Sequence, residues 1–180
     1  ITPNRQDCLG VNVIARDLAA AGMGELIDKK VIKHKGSFKS PIKIEIEDNS
    51  ACPAFAGRYF KNVKNVESPG WLKNKLKSIG LRPISALVDI TNFVMFDLNR
   101  PLHVYDADKI NGKIIVRSAK NGESFIALDE KKYELKNGMC AITDEAKVLG
   151  LGGIMGGEST GCGLDTENVF LESALFDEVN

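Results

Sequence analysis

The second half of the chain consists of short β-forming stretches separated by turn sequences, and this pattern limits the fold more than any other feature. Asn-Gly pairs occur at 111–112, 121–122 and 137–138. This dipeptide favours the positive φ angles of tight hairpin turns. Helical patterns precede the region, so the succession predicts an α+β fold and not a doubly wound sheet. The predicted strands of this half are residues 113–117, 124–128, 133–135, 140–143, 148–154 and 169–174.

The N-terminal region predicts one helix and a linker. Thr2-Pro3 is a typical helix start, and Gly22 is a suitable end. The apolar stripe of this helix comprises Val11, Ile14 and Leu18. Residues 23–41 contain five lysines and little periodicity, which predicts a linker or a mobile hairpin.

Two strands and two helices are predicted between the linker and the β-rich half. Residues 42–48 alternate strictly, with Ile42, Ile44 and Ile46 expected on the core face. A second strand is expected at 55–63. The predicted helices are residues 68–80, with Leu72, Leu76 and Ile79 on one face, and 83–98, with Leu87, Val88, Phe93 and Val94 apolar.

Composition excludes few classes of protein. The 180 residues carry 24 basic and 24 acidic side chains, so total charge does not favour nucleic-acid binding, although a local basic face remains compatible with it. Four scattered cysteines and two histidines make a zinc site improbable and fit reduced thiols in the cytoplasm. No stretch predicts a membrane span or a signal peptide. The start at Ile1 and the stop at Asn180 predict an excised piece of a longer protein.

Residues 150–161, GLGGIMGGESTG, place six of the 17 glycines within twelve positions. A P-loop requires a lysine after its glycines, and none follows here. A dinucleotide-binding turn starting at Gly150 meets Met155 where its third glycine belongs, and no helix follows. Phosphate binding is therefore disfavoured. Two interpretations remain open: a hairpin whose glycines relieve close packing, or the floor of a ligand pocket.

Four motifs together resemble a known family. They are RPISALVDITNFVM at 82–95, RPLHVYD at 100–106, GIMGG at 153–157 and LESALFD at 171–177. In this order and spacing they resemble the B3/B4 domain of bacterial phenylalanyl-tRNA synthetase β subunits. The opening TPNRQDCLG at 2–10 and ARDLA at 15–19 resemble the segment that precedes this domain. The resemblance implies a β-rich, layered α+β domain over residues 42–180, preceded by a helix and linker at 1–41.

The chain departs from the family at two places. Asn99-Arg100 stands where the family has Gly-Gln, which we interpret as a surface change with little consequence for chemistry. The family's domain also continues past Asn180 into a helical segment, so we expect the domain to be truncated and its pocket to be incomplete.

The resemblance implies an editing domain, which hydrolyses tyrosine wrongly attached to phenylalanine tRNA. It implies that His103, Thr91 and Asn92 lie near the ester. A histidine can orient or deprotonate a water, but a lone histidine is more often structural. An activated ester needs little beyond a well-placed water, so orientation is the alternative to base catalysis. Thr91 and Asn92 fall in a predicted helix, where ordinary buried polar contacts explain them nearly as well.

The resemblance also implies that Glu172 and Gly153 bind the far end of the amino acid. Residues 169–175 predict a buried strand with one central carboxylate, and such a group needs a partner. The partner is either one of the arginines or the phenol of a bound tyrosine, to which the Gly153 N–H would also donate. A site built to bond a hydroxyl rejects the analogue without one by roughly four to five orders of magnitude, so phenylalanine would be spared.

A non-catalytic module that positions tRNA and the rest of the synthetase is the alternative function, and a free-standing deacylase is a more distant one. The expected partners are the synthetase α subunit, the rest of the β subunit in a heterotetramer, and tRNA(Phe). The lysines of 29–39 are either a solvated linker or a contact for tRNA phosphates. ATP and magnesium are expected for the whole synthetase, with no cofactor in this segment, no membrane and a cytoplasmic location. The editing hypothesis requires all five site residues to line one cavity.

Overall fold

A computed structural model describes residues 1–27 and 30–177. The described residues form an α+β fold, as the sequence predicts, with three α-helices, three 3₁₀ helices and ten strands. The α-helices are α1 (Val11–Ala20), α2 (Gly70–Ser78) and α3 (Ala86–Leu98). The 3₁₀ helices are Pro3–Leu9, Ala107–Lys109 and Glu158–Thr160. The strands are β1 (Ile44–Ile46), β2 (Ala54–Phe60), β3 (His103–Asp106), β4 (Ile114–Ser118), β5 (Ser124–Ile126), β6 (Lys132–Glu134), β7 (Cys140–Thr143), β8 (Val148–Leu151), β9 (Met155–Gly156) and β10 (Val169–Leu175).

The strands form two main sheets and a separate hairpin. The larger sheet has the order β1-β4-β7-β8-β9, in which β1 is parallel to β4 and the other neighbours are antiparallel. The smaller sheet has the order β2-β10-β3 and is antiparallel throughout. Strands β5 and β6 form the hairpin. Because β10 lies between β2 and β3, the last strand of the chain joins two segments that precede it by more than 60 residues.

The core lies where the two sheets face each other. Its main cluster combines Ile114 and Leu149 of the larger sheet with Tyr105 and Phe170 of the smaller one. All four are at most 1% exposed, and burial of such side chains contributes about 1.5–3 kcal/mol each. Gly57 on β2 leaves space for two large side chains, because a Cβ there would lie 2.1 Å from Phe170 Cζ on the neighbouring strand β10 and 2.9 Å from Ile44 Cδ1 on β1 of the larger sheet. The absence of a side chain at Gly57 therefore accommodates the Phe170 ring within its own sheet and Ile44 from the facing sheet.

The three Asn-Gly pairs lie in connections between strands, as the sequence predicts, but none of them joins two strands that pair with each other. Gly112, Gly122 and Gly138 have φ angles of 73°, 85° and 93°, whereas the asparagines before them do not have positive φ. The predicted strands of this half match their positions to within one or two residues, except that β8 ends at Leu151 and a short β9 follows. Local turn chemistry therefore positioned the strands along the chain but did not determine which strands pair.

The predicted N-terminal helix is interrupted. A 3₁₀ helix and α1 meet at Gly10, and Thr2 makes no capping hydrogen bond through its side chain. A Cβ at Gly10 would lie 2.6 Å from the backbone nitrogen of Asn99, which follows α3. The apolar stripe is exposed rather than buried, with Val11, Ile14 and Leu18 at 52%, 41% and 46% exposure.

The remaining elements follow the predictions with shifted bounds. Helix α2 buries Leu72 and Leu76 but leaves Ile79 exposed, and α3 begins at Ala86 instead of residue 83. Residues 23–27 and 30–41 have no helix or strand, which agrees with the linker interpretation; residues 28–29 of the predicted linker lie outside the described residues. None of the helices in the described residues is long and apolar enough to cross a membrane.

Candidate functional site

A cavity of about 530 Å³ opens between the two sheets. Strands β3 and β10 line it from the smaller sheet, and β8, β9 and the turn between them line it from the larger one. This volume falls within the usual range for small-molecule pockets, which is roughly 300–1,000 Å³. His103, Gly153 and Glu172 all contribute to its lining. The structure therefore brings three of the five predicted site residues together.

His103 lines this cavity and has one unpaired ring nitrogen. Its Nε2 atom is buried and has no hydrogen-bond partner among the described residues. Its ring packs edge-on against Tyr105, with 4.3 Å between ring centroids. Burial lowers the pKa of His103 from 6.5 to about 4, so the imidazole is uncharged at neutral pH. Buried polar atoms without partners are uncommon and call for an explanation, such as a bound water or a substrate group.

Glu172 lies opposite His103 in the antiparallel pairing of β10 with β3. It is 5% exposed, and its Oε2 accepts a hydrogen bond from the Tyr105 hydroxyl. Burial raises the pKa of the Glu172 carboxyl to about 7, and the bond from Tyr105 opposes this rise. The sequence left an arginine as one alternative partner; within the described residues the carboxylate is bonded to a tyrosine of its own chain and to no arginine.

Gly153 lies in the turn between β8 and β9, with a φ of 70°. The ring of Phe176 lies against it, because a Cβ at Gly153 would be 3.0 Å from Phe176 Cδ2. The Gly153 N–H makes no hydrogen bond within residues 1–27 and 30–177, to Glu172 or to any other group. Gly153 and Glu172 therefore line the same cavity without a direct contact, and the donor of Gly153 is unused.

Thr91 and Asn92 do not belong to the lining of the cavity. Thr91 is 8% exposed, and its hydroxyl donates to the Val88 carbonyl of its own helix at 2.8 Å. Asn92 is half-buried on the same helix, α3. The requirement that all five residues line one cavity is therefore not met. The physical reason is the packing of α3, which lies outside the cavity lining; the bond of Thr91 within its own helix is the ordinary polar contact that the sequence offered as the alternative.

Tyr105 and Arg100 are among the cavity residues that sequence reasoning missed. Tyr105 could have been found from the strand period, because it stands two residues after His103 and shares its face. Arg100 was interpreted as a surface change of little consequence. It is exposed, but it lines the cavity, and its Nε donates to Ser173 Oγ at 2.9 Å. The left-handed Asn99, with φ 53°, ends α3 and directs the chain towards β10.

The described residues contain no group of three or more His, Cys, Asp or Glu side chains arranged to hold a metal ion. The four cysteines are free thiols, and Cys52, Cys140 and Cys162 have raised pKa values, chiefly because of burial. The titratable side chains of the cavity lining with shifted pKa values are His103, Tyr105 and Glu172.

Comparison with known proteins gives a match over most of the chain. The model of the B3/4 domain family matches residues 51–180. The phenylalanine--tRNA ligase β subunit of Rhodopseudomonas palustris is 53% identical over 180 residues, which is 100% of this chain and 22% of that protein. The corresponding subunit of Paramagnetospirillum magneticum is 55% identical over 183 residues, 99% of this chain and 23% of that protein. The chain thus spans less than a quarter of the length of these relatives.

A solved structure has a similar fold. It is an N-terminal fragment of the phenylalanyl-tRNA synthetase β subunit from Pyrococcus horikoshii, with a TM-score of 0.56 and 18% sequence identity. The similarity covers 97% of this chain and 54% of that fragment. At this level of identity the comparison supports the arrangement of helices and sheets and nothing finer.

Proposed function

Because this chain belongs to the B3/4 domain family and is homologous to phenylalanine--tRNA ligase β subunits over its whole length, we propose that its cavity hydrolyses tyrosine attached to tRNA(Phe). One observation carries the proposal: a buried, unpaired histidine nitrogen and a buried carboxylate line the same cavity. The histidine nitrogen is suited to a hydrogen bond with a water at the ester, and the carboxylate is suited to a hydrogen bond from the phenol hydroxyl. The two are opposite each other on adjacent strands.

The proposed reaction is the attack of water on the carbonyl carbon of the aminoacyl ester. A tetrahedral intermediate forms, the bond from that carbon to the ribose oxygen breaks, and the ribose oxygen takes up a proton from the attacking water. Free tyrosine and tRNA with an intact terminal hydroxyl are the products. His103 is uncharged at neutral pH, so a ring nitrogen accepts a hydrogen bond from the water. With a pKa of about 4, it is a weak base, and orientation of the water is its main contribution.

Selectivity is proposed to come from the other end of the cavity. The Glu172 carboxyl accepts a hydrogen bond from the tyrosine phenol, and the unused Gly153 N–H is the second candidate contact. With phenylalanine in the cavity, these polar groups remain unpaired in a buried site, which is the arrangement that rejects an analogue lacking a hydroxyl. Phe-tRNA(Phe), the correct product, is therefore spared.

The proposed context is the complete synthetase. Its α subunit, the rest of the β subunit and tRNA(Phe) are the partners, in a cytoplasmic heterotetramer. ATP and magnesium serve the aminoacylation reaction outside this segment, and the hydrolysis described here uses no cofactor held by this chain.

A positioning role without catalysis is the second candidate. The exposed apolar stripe of α1 favours it, since such a face is suited to contact with another part of the protein. The location of Thr91 and Asn92 outside the cavity lining also favours it. The two functions are compatible in one domain, and the experiment below separates them.

The test is deacylation of Tyr-tRNA(Phe) by the full-length synthetase carrying His103→Ala or Glu172→Ala. We expect His103→Ala to lower the rate by about a hundredfold and Glu172→Ala by roughly tenfold to a hundredfold, with aminoacylation by phenylalanine unchanged. The matched controls are His34→Ala, which alters the exposed second histidine, and Glu167→Ala, at an exposed carboxylate outside the cavity. Normal deacylation by both cavity variants would leave only the positioning role.

A further inference from the structure

Tyr105 is the buried partner of the Glu172 carboxylate, and the proposed reaction assigns no role to it. Its side chain is 1% exposed, and its hydroxyl donates to Glu172 Oε2. The bond joins adjacent strands at residues 67 positions apart in sequence. Its ring also packs against His103. Tyr105 therefore touches both of the side chains on which the proposed function depends.

The bond leaves the two carboxylate oxygens in different situations. Oε2 is occupied by Tyr105. Oε1 makes no hydrogen bond in the described part of the chain, and it is not among the buried polar atoms that lack a partner, which are His103 Nε2 and Thr160 Oγ1. Oε1 is therefore accessible, and since Glu172 lines the cavity, it is the oxygen available to a ligand there.

We propose that Tyr105 is a specificity-determining positioning residue: by holding Oε2, it leaves Oε1 as a single, fixed acceptor for one phenolic hydroxyl. This inference rests on the proposed function and assigns the selection of tyrosine over phenylalanine to the Tyr105–Glu172 pair instead of Glu172 alone. A carboxyl group without this partner can rotate and present either oxygen, and a buried carboxyl without a donor tends to keep its proton. Fixed geometry at an acceptor is what makes a missing hydroxyl costly to the wrong substrate.

A purely structural role for Tyr105 makes a different prediction. If the hydroxyl only satisfied a buried carboxyl, its loss would lower stability and leave the discrimination between tyrosine and phenylalanine unchanged. The pH dependence of discrimination separates the two roles, because the bond from Tyr105 favours the ionised form of Glu172 and its loss raises the pKa of that carboxyl above its value of about 7.

Other groups near Glu172 do not interfere between pH 5.5 and 8.5. His103 on β3 has a pKa of about 4 and stays uncharged. Burial raises the pKa values of Tyr105, of Cys140 on β7 and of Cys52 before β2, so these groups stay protonated. Arg100 at the cavity mouth stays charged. The α-amino group of the aminoacyl ester also titrates in this range, but it is common to Tyr-tRNA(Phe) and Phe-tRNA(Phe). A pH dependence found with the tyrosyl substrate and absent with the phenylalanyl one is therefore assigned to Glu172.

The experiment measures kcat and KM of the full-length synthetase for Tyr-tRNA(Phe) and Phe-tRNA(Phe), with Tyr105→Phe, between pH 5.5 and 8.5. For Tyr-tRNA(Phe), we expect kcat/KM at pH 7 to fall roughly tenfold to a hundredfold, mainly through KM, because the lost contact is remote from the ester. The midpoint of the pH profile should move upward, and hydrolysis of Phe-tRNA(Phe) should not change. The matched control is Tyr133→Phe, since Tyr133 also donates to a carboxylate, Asp129 Oδ2 at 2.9 Å, but lies outside the cavity.

A second variant, Glu172→Gln, distinguishes a failure of the role proposed for Tyr105 from a failure of the proposed function. Glu172→Gln keeps a side-chain oxygen that Tyr105 can bond, but the amide does not ionise, so the variant should lower Tyr-tRNA(Phe) deacylation and remove the part of its pH dependence that is absent with Phe-tRNA(Phe). Normal selectivity and an unmoved midpoint in Tyr105→Phe, with loss of activity in Glu172→Gln, would overturn the role of Tyr105 and leave the proposed function standing. Normal deacylation in Glu172→Gln would overturn both. If Tyr105→Phe fails to fold, site-specific 3-fluorotyrosine at position 105 carries the test, because its more acidic hydroxyl donates more strongly to Glu172: a pH midpoint for Tyr-tRNA(Phe) that moves downward supports the pair, and an unmoved midpoint refutes it.

Discussion

Substitution of Gly156 by alanine should displace His103 from its place in the cavity. Gly156 lies on β9 against the imidazole, and a Cβ there would be 2.3 Å from Cε1, 2.9 Å from Nε2 and 3.0 Å from Nδ1 of His103. Gly156 does not have a positive φ, so alanine is compatible with the backbone. The effect of the substitution is therefore confined to this contact.

The size of the displacement follows from the distances. Carbon atoms in contact are normally about 3.5–4.0 Å apart, so the ring has to move by at least about 1.2 Å from a position at 2.3 Å. A side chain at the surface would absorb this shift easily. Here Tyr105 packs against the same ring with 4.3 Å between centroids, so the movement also disturbs the partner of Glu172. Overpacking of this kind costs about 1–3 kcal/mol, and a misplacement of about 1 Å at a reacting group can lower a rate about a hundredfold.

The assay is the rate of Tyr-tRNA(Phe) deacylation by the full-length synthetase, measured beside the thermal stability of the same preparations. We expect Gly156→Ala to lower the rate by about a hundredfold at a modest loss of stability. The control is Gly70→Ala, since a Cβ at Gly70 meets no atom within 4 Å. Wild-type deacylation by a folded Gly156→Ala enzyme would refute the reasoning, because it would mean that the observed position of His103 is not needed.

Three further predictions concern stability. The pKa of the Glu172 carboxyl rises from 4.5 to about 7 in the fold, so between these values the folded chain keeps a proton that the unfolded chain loses. The free energy of unfolding should therefore fall as the pH rises. Relative to Glu172→Gln, wild type should lose about 3 kcal/mol of it between pH 4 and 8, measured by urea denaturation. Asp89 is 0% exposed and accepts hydrogen bonds from Ser68 and a backbone N–H, so Asp89→Ala should cost about 2–4 kcal/mol in the same assay; an unchanged denaturation midpoint would contradict this. Gly57→Ala should lower the melting temperature strongly, because its Cβ would lie 2.1 Å from Phe170 Cζ and 2.9 Å from Ile44 Cδ1; an unchanged melting temperature would show that both side chains can move aside at no cost.

The sequence could predict the parts of the fold that depend on local chemistry. Gly112, Gly122 and Gly138 required positive φ, and the structure has it at all three. The parallel pairing of β1 with β4 could not be predicted, because it joins residues 70 positions apart, such as Ile44 and Ile114, through no local signal. Periodicity likewise indicated the apolar residues of α1, but burial depends on what lies opposite, and Val11, Ile14 and Leu18 remain 52%, 41% and 46% exposed in the structure.

The candidate site was predictable to a similar extent. A lone carboxylate in an apolar strand indicated that Glu172 needs a partner, and the structure supplies one. The kind of partner was open, because the choice between an arginine, a ligand and Tyr105 depends on the register of β10 against β3. The positions of Thr91 and Asn92 could not be deduced either, since their relation to the cavity depends on how α3 packs.

The glycine-rich stretch at 150–161 left two interpretations open, and the structure contains both. A Cβ at Gly150 would lie 2.8 Å from the Met155 carbonyl oxygen, and one at Gly157 would lie 2.5 Å from the Leu149 carbonyl oxygen. Both contacts are with backbone inside the β8–β9 hairpin. Both glycines therefore permit close strand packing; Gly150 also belongs to the cavity lining, whereas Gly157 does not.

Gly156 and Gly157 are neighbours, yet one borders the cavity and the other the interior of the hairpin. The reason is the two-residue period of an extended chain, in which successive side-chain directions face opposite sides. The same period makes the two roles separable. Backbone at Gly157 cannot move aside without breaking the Gly157 N–H bond to the Leu149 carbonyl, 2.7 Å long, so Gly157→Ala should unfold the hairpin and lower the melting temperature. Gly156→Ala acts on a side chain instead and should affect deacylation more than stability. If both substitutions instead lowered stability equally and left deacylation by the folded enzyme unchanged, the glycines would serve packing alone, and the position of His103 would be a by-product of it.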